Sequence, residues 1–269
     1  MFELHEGRHT MTALMSATRR QTADLPAPPA DLPRGCALFL DLDGTLAAIR
    51  STPGEVGPEP RRQALLAQLS RTLDGRVAVV SGRELKDLDR ILSGDVTPIA
   101  AVHGLVRRDA GGAVFAFPPH ADIERARDTL RDLARCDRDL LFEDKGLSVA
   151  LHYRNAPGAA DAVIEAAERL SRATGLVLQL GDMVAELRTP GQDKGQSVAA
   201  FLREAPFRGA TPVFVGDDLT DEDGFAAAAQ LGGFGVLVGP QRPTAAAYRL
   251  DDVSAVMSWL EGVSAPLPA

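Results

Sequence analysis

The sequence predicts an α/β protein, with a parallel sheet wrapped by helices and an inserted α+β segment carrying its own antiparallel sheet. Three observations lead there. Short apolar runs at 36–40, 76–80 and 211–215 each stop abruptly in polar residues, as buried parallel strands do at the edge where ligands bind. Helical stretches open at Glu84 and occupy 196–203 and 224–231, between and after those runs. Between Ser81 and Lys194 the rhythm changes: Leu147, Val149, Leu151 and Tyr153 alternate with period two, the pattern of an antiparallel strand.

The elements follow in chain order. Residues 1–33 have a polar start and then the proline-rich run 25–33, which reads as a flexible extension because proline removes donors and fixes φ. The first strand delivers Asp41 and Asp43, two residues apart and therefore on one side, with Gly44 allowing a sharp turn. Like charges so placed call for a divalent cation, and hard carboxylate oxygens suit Mg²⁺, although aspartate also caps loops and helices. The strand at 76–80 ends in Ser81-Gly82-Arg83 ahead of a helix, where a hydroxyl and free amides form an anion site; by itself Ser81 would read as an N-cap. His103 follows the apolar run 99–102 and either orients a loop near the site or caps a turn.

The insertion reads as a strand at 114–117, a helix at 123–133, paired strands within 140–153, a helix at 159–174 and strands at 177–180 and 184–187. Such a segment can act as a lid that excludes water and adds specificity. Two similar tripeptides, Asp144-Lys145-Gly146 and Asp193-Lys194-Gly195, then part company, because the second opens a helix of the α/β core and the first enters an insertion strand. The strand at 211–215 ends in Gly216-Asp217-Asp218-Leu219-Thr220-Asp221, a second set of carboxylates at the same sheet edge.

Asp41-Leu42-Asp43-Gly44-Thr45, Ser81-Gly82-Arg83, Lys194 and Gly216-Asp217-Asp218 stand in the order and spacing of the four motifs of the haloacid dehalogenase-like phosphatases, which the chain therefore resembles. The resemblance implies a Rossmann-like core with an inserted cap. It casts Asp41 as the nucleophile that takes up phosphorus, Asp43 as general acid and base, and Lys194 as a catalytic cation. It implies Mg²⁺ held by Asp41, the main-chain carbonyl of Asp43 and Asp217, with Asp218, counted in the same metal site, and Asp221 both acting through water or at one remove. Thr45, Ser81, Gly82, Arg83 and His103 are the substrate contacts expected from the core. Whether Arg83 and Thr220 touch the site or only brace it stays open.

Within the insertion, Glu143-Asp144-Lys145-Gly146 with His152 and Arg154, and Glu186-Leu187-Arg188 leading to Lys194, are similar to the trehalose-6-phosphate phosphatases, in patches from about 37 to 239. That likeness implies Glu143, Lys145 and Glu186 as contacts to the hydroxyls of a bound disaccharide, with Arg188 a further substrate-binding residue; carboxylates accept from paired hydroxyls and an ammonium donates. Plain strand-edge ion pairing is the competing reading for the two glutamates, and His152 and Arg154 read as structural. The implied activity is Mg²⁺-dependent hydrolysis of trehalose 6-phosphate through an aspartyl-phosphate, the last step of trehalose biosynthesis. A phosphatase for sucrose phosphate or mannosyl-phosphoglycerate, a phosphomutase, or a non-catalytic sugar-phosphate sensor are the alternatives.

Composition sets the bounds. The 269 residues divide into the extension 1–33, a core from 34–107 and 189–265, and a cap at 108–188. Acids outnumber bases 37 to 29, a formal charge of −8, which argues against nucleic acid but not against a small anionic substrate. Two cysteines, Cys36 and Cys136, offer no disulfide framework or metal spacing and read as inert thiols of a reducing cytoplasm. No apolar run reaches membrane-spanning length and no signal-peptide core is present, so a cytoplasmic monomer or weak oligomer is expected, with 266–269 fraying.

Overall fold

The computed structural model describes residues 24–264 apart from Asp95 and Thr97. The expectations for residues 1–23 and 266–269 lie outside that range. Twelve strands and seven α-helices are built from the described residues. Strands β1 (Cys36–Leu40), β2 (Val77–Val80), β3 (Ile99–Ala101), β10 (Thr211–Gly216), β11 (Phe234–Val238) and β12 (Tyr248–Leu250) run parallel in the order β12-β11-β10-β1-β2-β3. β1 lies inside the sheet and all five of its residues are buried. Alternation divides them: Leu38 and Leu40 pack with α1 (Pro60–Thr72), α2 (Leu85–Leu92) and α7 (Val253–Ser264), whereas Ala37 and Phe39 face α5 (Lys194–Phe201) and α6 (Glu222–Gln230). On that second face Phe39, Phe201 and Phe207 meet with ring centroids 5.2–6.1 Å apart.

Two expectations change here. The run at 114–117, assigned to the insertion, forms β5 (Val114–Ala116), which pairs antiparallel with β4 (Val106–Arg108) and extends the large sheet beyond β3. An isolated short strand alternates no differently in a cap than at the edge of a core, so periodicity does not separate the two. The 24–33 part of the extension is not loose: Pro26 O accepts from Arg249 N at 2.9 Å, Pro29 O accepts from Trp259 Nε1 at 2.8 Å, and Leu25 N donates to Gln241 Oε1 at 3.2 Å. Prolines lack a donor but keep their carbonyls, and it is these that anchor the segment.

The second sheet holds β6 (Leu141–Asp144), β7 (Ser148–His152), β9 (Val184–Arg188) and β8 (Val177–Gly181) in that order, all antiparallel. Phe142, Val149, Leu151, Leu178, Ala185 and Leu187 form its apolar face and pack with α3 (Ile123–Cys136) and α4 (Ala160–Thr174) into a separate core. Helix α3 runs three residues past the expected end at 133, and its last residue, Cys136, is exposed. The chain passes from β9 to α5 through five residues, 189–193. Among the described residues no helix is long and apolar enough to cross a membrane.

Candidate active site

The carboxyl ends of β1, β2 and β10 open into a cleft of about 430 Å³ whose opposite wall is the polar face of the smaller sheet. Asp41 follows β1, Ser81 follows β2, and Asp217 follows β10, so three adjacent strands place one motif each, as the sequence predicts. Lys194 is the first residue of α5, whose N-cap Asp193 accepts from Gln196 N at 2.7 Å. Its ammonium donates to Asp41 Oδ1 at 2.9 Å and to Asp221 Oδ1 at 2.7 Å, with all three residues buried. Burial works against the ammonium, but Asp221 and Asp41 overcome it and hold the Lys194 pKa well above the usual lysine range.

The acids are held where repulsion is strong. Burial pushes the Asp41 carboxyl well above its usual range, Lys194 pulls it back, and the charges of Asp221, Asp217 and Asp43 push it further. Burial and then Asp221 push Asp217 up to about 7. Asp217 comes this close because Gly44 has no side chain: a Cβ there would lie 1.9 Å from Asp217 Oδ2, and its φ of +78° suits glycine. Asp41, Asp217 and Asp221 each place an oxygen within 4.8 Å of the others, and Asp217 Oδ1 is buried with no hydrogen-bond partner. Lys194 pairs with two of the three carboxylates, and an oxygen of the third, Asp217, is unsatisfied; this donor set fits a hard divalent cation.

The structure redistributes the predicted ligands. Asp221, expected at one remove, sits inside the cluster, yet its Oδ2 already accepts from Asp217 N and Asp218 N at 2.9 and 3.0 Å. Asp218 lines the cleft but turns Oδ1 to Leu219 N, capping the turn 219–221. The Asp43 carboxylate is gripped by Arg83, Nε to Oδ2 at 2.6 Å and Nη2 to Oδ1 at 2.8 Å. The remaining nitrogen, Arg83 Nη1, donates to Pro53 O at 2.9 Å and to Asp87. Arg83 therefore braces Asp43 and the 49–53 stretch of the cleft wall, with four of its five N–H donors directed at the protein. Ser81 Oγ accepts from Arg83 N at 3.2 Å and stays free to donate into the cleft. Thr45 is fully buried behind the cleft wall with Oγ1 unpartnered, and is not among the lining residues.

On the facing sheet, register aligns the recognition candidates. Glu143 lies opposite Ala150, Ala150 opposite Glu186, and Glu186 opposite Gln179, one transverse row across all four strands on the face away from the helices. Lys145 Nζ donates to Glu186 Oε2 at 2.8 Å and lies 3.8 Å from Glu143 Oε2, which His152 Nε2 meets at 2.9 Å. Burial raises the Glu186 carboxyl, but Lys145 and then His103 overcome it and hold it well below the usual range. Glu186 Oε1 is buried and unpartnered. Ion pairing at Glu143 and Glu186 leaves acceptor oxygens unused, so pairing and ligand binding are not exclusive readings.

His103 reaches this row from the core. Its backbone is left-handed, φ 55°, after Val102 at 48°, and the loop is tied to the serine loop by His103 N to Ser81 O at 3.0 Å and Val102 N to Arg83 O at 2.9 Å. Gly82 lies against the imidazole, since a Cβ would sit 2.4 Å from His103 Nε2. Arg188 stays outside the cleft, its guanidinium donating to the carbonyl of Gln192. Gln179 was not singled out from sequence. The two-residue turn Asp182-Met183 between Gly181 and Val184 fixes its pairing with Glu186, so counting back from that turn would have found it.

Comparison with known proteins agrees with the geometry. The family model described as trehalose-phosphatase matches residues 39–254. The trehalose-6-phosphate phosphatase of Escherichia coli (strain K12) is 41% identical over 235 residues, covering 86% of this chain and 87% of the relative. The C-terminal domain of C. albicans trehalose-6-phosphate phosphatase has a TM-score of 0.79 at 21% identity, covering 91% of this chain and 99% of that one. A haloacid dehalogenase-like hydrolase from Bacteroides thetaiotaomicron has a TM-score of 0.60 at 18% identity, over 84% and 98%. The α/β core with a cap is thus a haloacid dehalogenase-like fold, and the chain belongs to the trehalose-phosphatase family, a family of phosphoric monoester hydrolases.

Proposed function

We propose that the protein hydrolyses trehalose 6-phosphate to trehalose and phosphate, completing trehalose synthesis, with Mg²⁺ bound and an aspartyl-phosphate formed on Asp41. One observation supports this most directly: a single cleft joins the Asp41, Lys194 and Asp217 cluster, backed by the buried Asp221, to the Glu143–Glu186 row on the opposite wall. The cap in this reading spans 118–188, with the core on either side of it.

Asp41 attacks phosphorus as the bond to the sugar oxygen breaks, and the departing alkoxide takes a proton from Asp43. Asp43 then removes a proton from water, which attacks phosphorus, releases phosphate and frees Asp41. Lys194 neutralises charge beside Asp41 throughout, Ser81 donates to a phosphoryl oxygen, and Arg83 aims Asp43. Mg²⁺, held by Asp41, Asp217 and the Asp43 carbonyl, would supply further positive charge for the phosphoryl oxygens. Glu143, Lys145 and Glu186 hold sugar hydroxyls.

The test is phosphate release from a panel of sugar phosphates with Mg²⁺ or with chelator. Trehalose 6-phosphate should be the best substrate, and the chelated enzyme should be inactive until Mg²⁺ returns. Asp41→Asn should lower kcat by on the order of 10³-fold or more with an unchanged circular dichroism spectrum. Near-normal turnover by that variant would reject the covalent route, and preference for another sugar phosphate would reject the substrate.

A further inference from the structure

We infer that Gln179 is a specificity-determining positioning residue, through which the core residue His103 sets the sugar-recognising row of the cap. The inference rests on the phosphatase reading above and adds a residue to it.

Gln179 completes the transverse row: it lies opposite Glu186 on the same face and lines the same cleft. Its side-chain hydrogen-bond contact is to the core. Its Nε2 lies 3.0 Å from His103 Nε2 and 3.3 Å from Nδ1, whereas Glu143 pairs with His152 and Glu186 with Lys145, both within the cap. His103 is 6% exposed and also approaches Glu186 Oε2, at 3.5 Å. Its backbone is bonded to Ser81, and its ring rests on Gly82. The polar path thus runs from the phosphate side, Ser81 and Gly82, through His103, to Gln179 and Glu186 on the sugar side. A buried imidazole needs polar partners, and Gln179 supplies one only when the cap sits down on the core. Two residues on, Gly181 faces the core too, with the Asp218 carboxylate 3.2 Å from where its Cβ would be. Strand β8 is therefore the cap strand that seats on the core, and Gln179 is its polar contact.

The experiment compares kcat/KM for trehalose 6-phosphate with that for p-nitrophenyl phosphate, which carries no sugar, in wild type, Gln179→Met, Gln179→Ala, His103→Ala and the Gln179→Ala/His103→Ala double variant. Methionine keeps volume and removes the amide, so a folding defect of the alanine variant does not decide the outcome. Gln179→Met should lower the ratio of the two constants about tenfold or more, mainly through KM for the sugar phosphate. The double variant should lose less than the product of the single losses, because the two residues act as one contact. A ratio in Gln179→Met within about twofold of wild type, or strictly multiplicative losses, overturns the inference. A wild-type enzyme with no preference for trehalose 6-phosphate would instead overturn the trehalose 6-phosphate reading, so the two failures are distinguishable.

Discussion

At the scale of single residues the site is an arrangement of charges that balance only as a group. Lys194 neutralises two buried carboxylates at once, so Lys194→Met strands both; urea melts should show a loss of about 3–5 kcal/mol together with loss of turnover. Glu186 titrates differently. Despite burial, its carboxyl is held low by Lys145 and His103, so its contribution to stability is complete above the ordinary glutamate value of about 4.3 and fades as pH falls through its lower folded value. The stability difference between wild type and Glu186→Gln should hold steady from about pH 7 to 5 and shrink below about pH 4, read from urea melts at each pH. The motif residues were legible because side chains at the ends of buried strands have few places to go. The division of labour between Asp218 and Asp221 was not: which acid turns inward depends on the capping turn 219–221 and on the reach of Lys194, and both belong to the folded backbone.

Among the elements, periodicity identified type well and membership poorly. The alternation of 148–152 and 184–188 placed two strands correctly, since one face had to be apolar against helices. Strand β5 alternates too briefly to reveal its partner, and only pairing with β4 shows that it belongs to the larger sheet. Gln179 was missed for a related reason: a lone glutamine on a strand reads as solvated until the facing strand is known. The aromatic contact under β1 is an element-level support, because Phe207, from the loop after α5, packs on both Phe39 and Phe201. Phe207→Ala should cost about 3–5 kcal/mol in thermal or urea unfolding and change KM little, as the ring lies under the sheet and away from the cleft.

The described residues pack into three hydrophobic clusters, one on each face of the larger sheet and a third on one face of the smaller sheet. Damage to one should stay there. Leu151→Ala, made in the fully buried apolar face of the smaller sheet, should accelerate amide exchange across 123–188 and leave β1, β2 and β10 protected, as followed by hydrogen–deuterium exchange. Uniform acceleration would show a single cooperative unit. The five-residue passage between β9 and α5 then acquires a meaning of its own. Glu186 would grip the sugar, Lys194 would serve the phosphoryl group, and seven residues of chain lie between them. Even drawn taut, 189–193 reaches roughly 20 Å. The leash is short, so however widely the two halves part, a guest held at Glu186 would never travel far from the charge on Lys194.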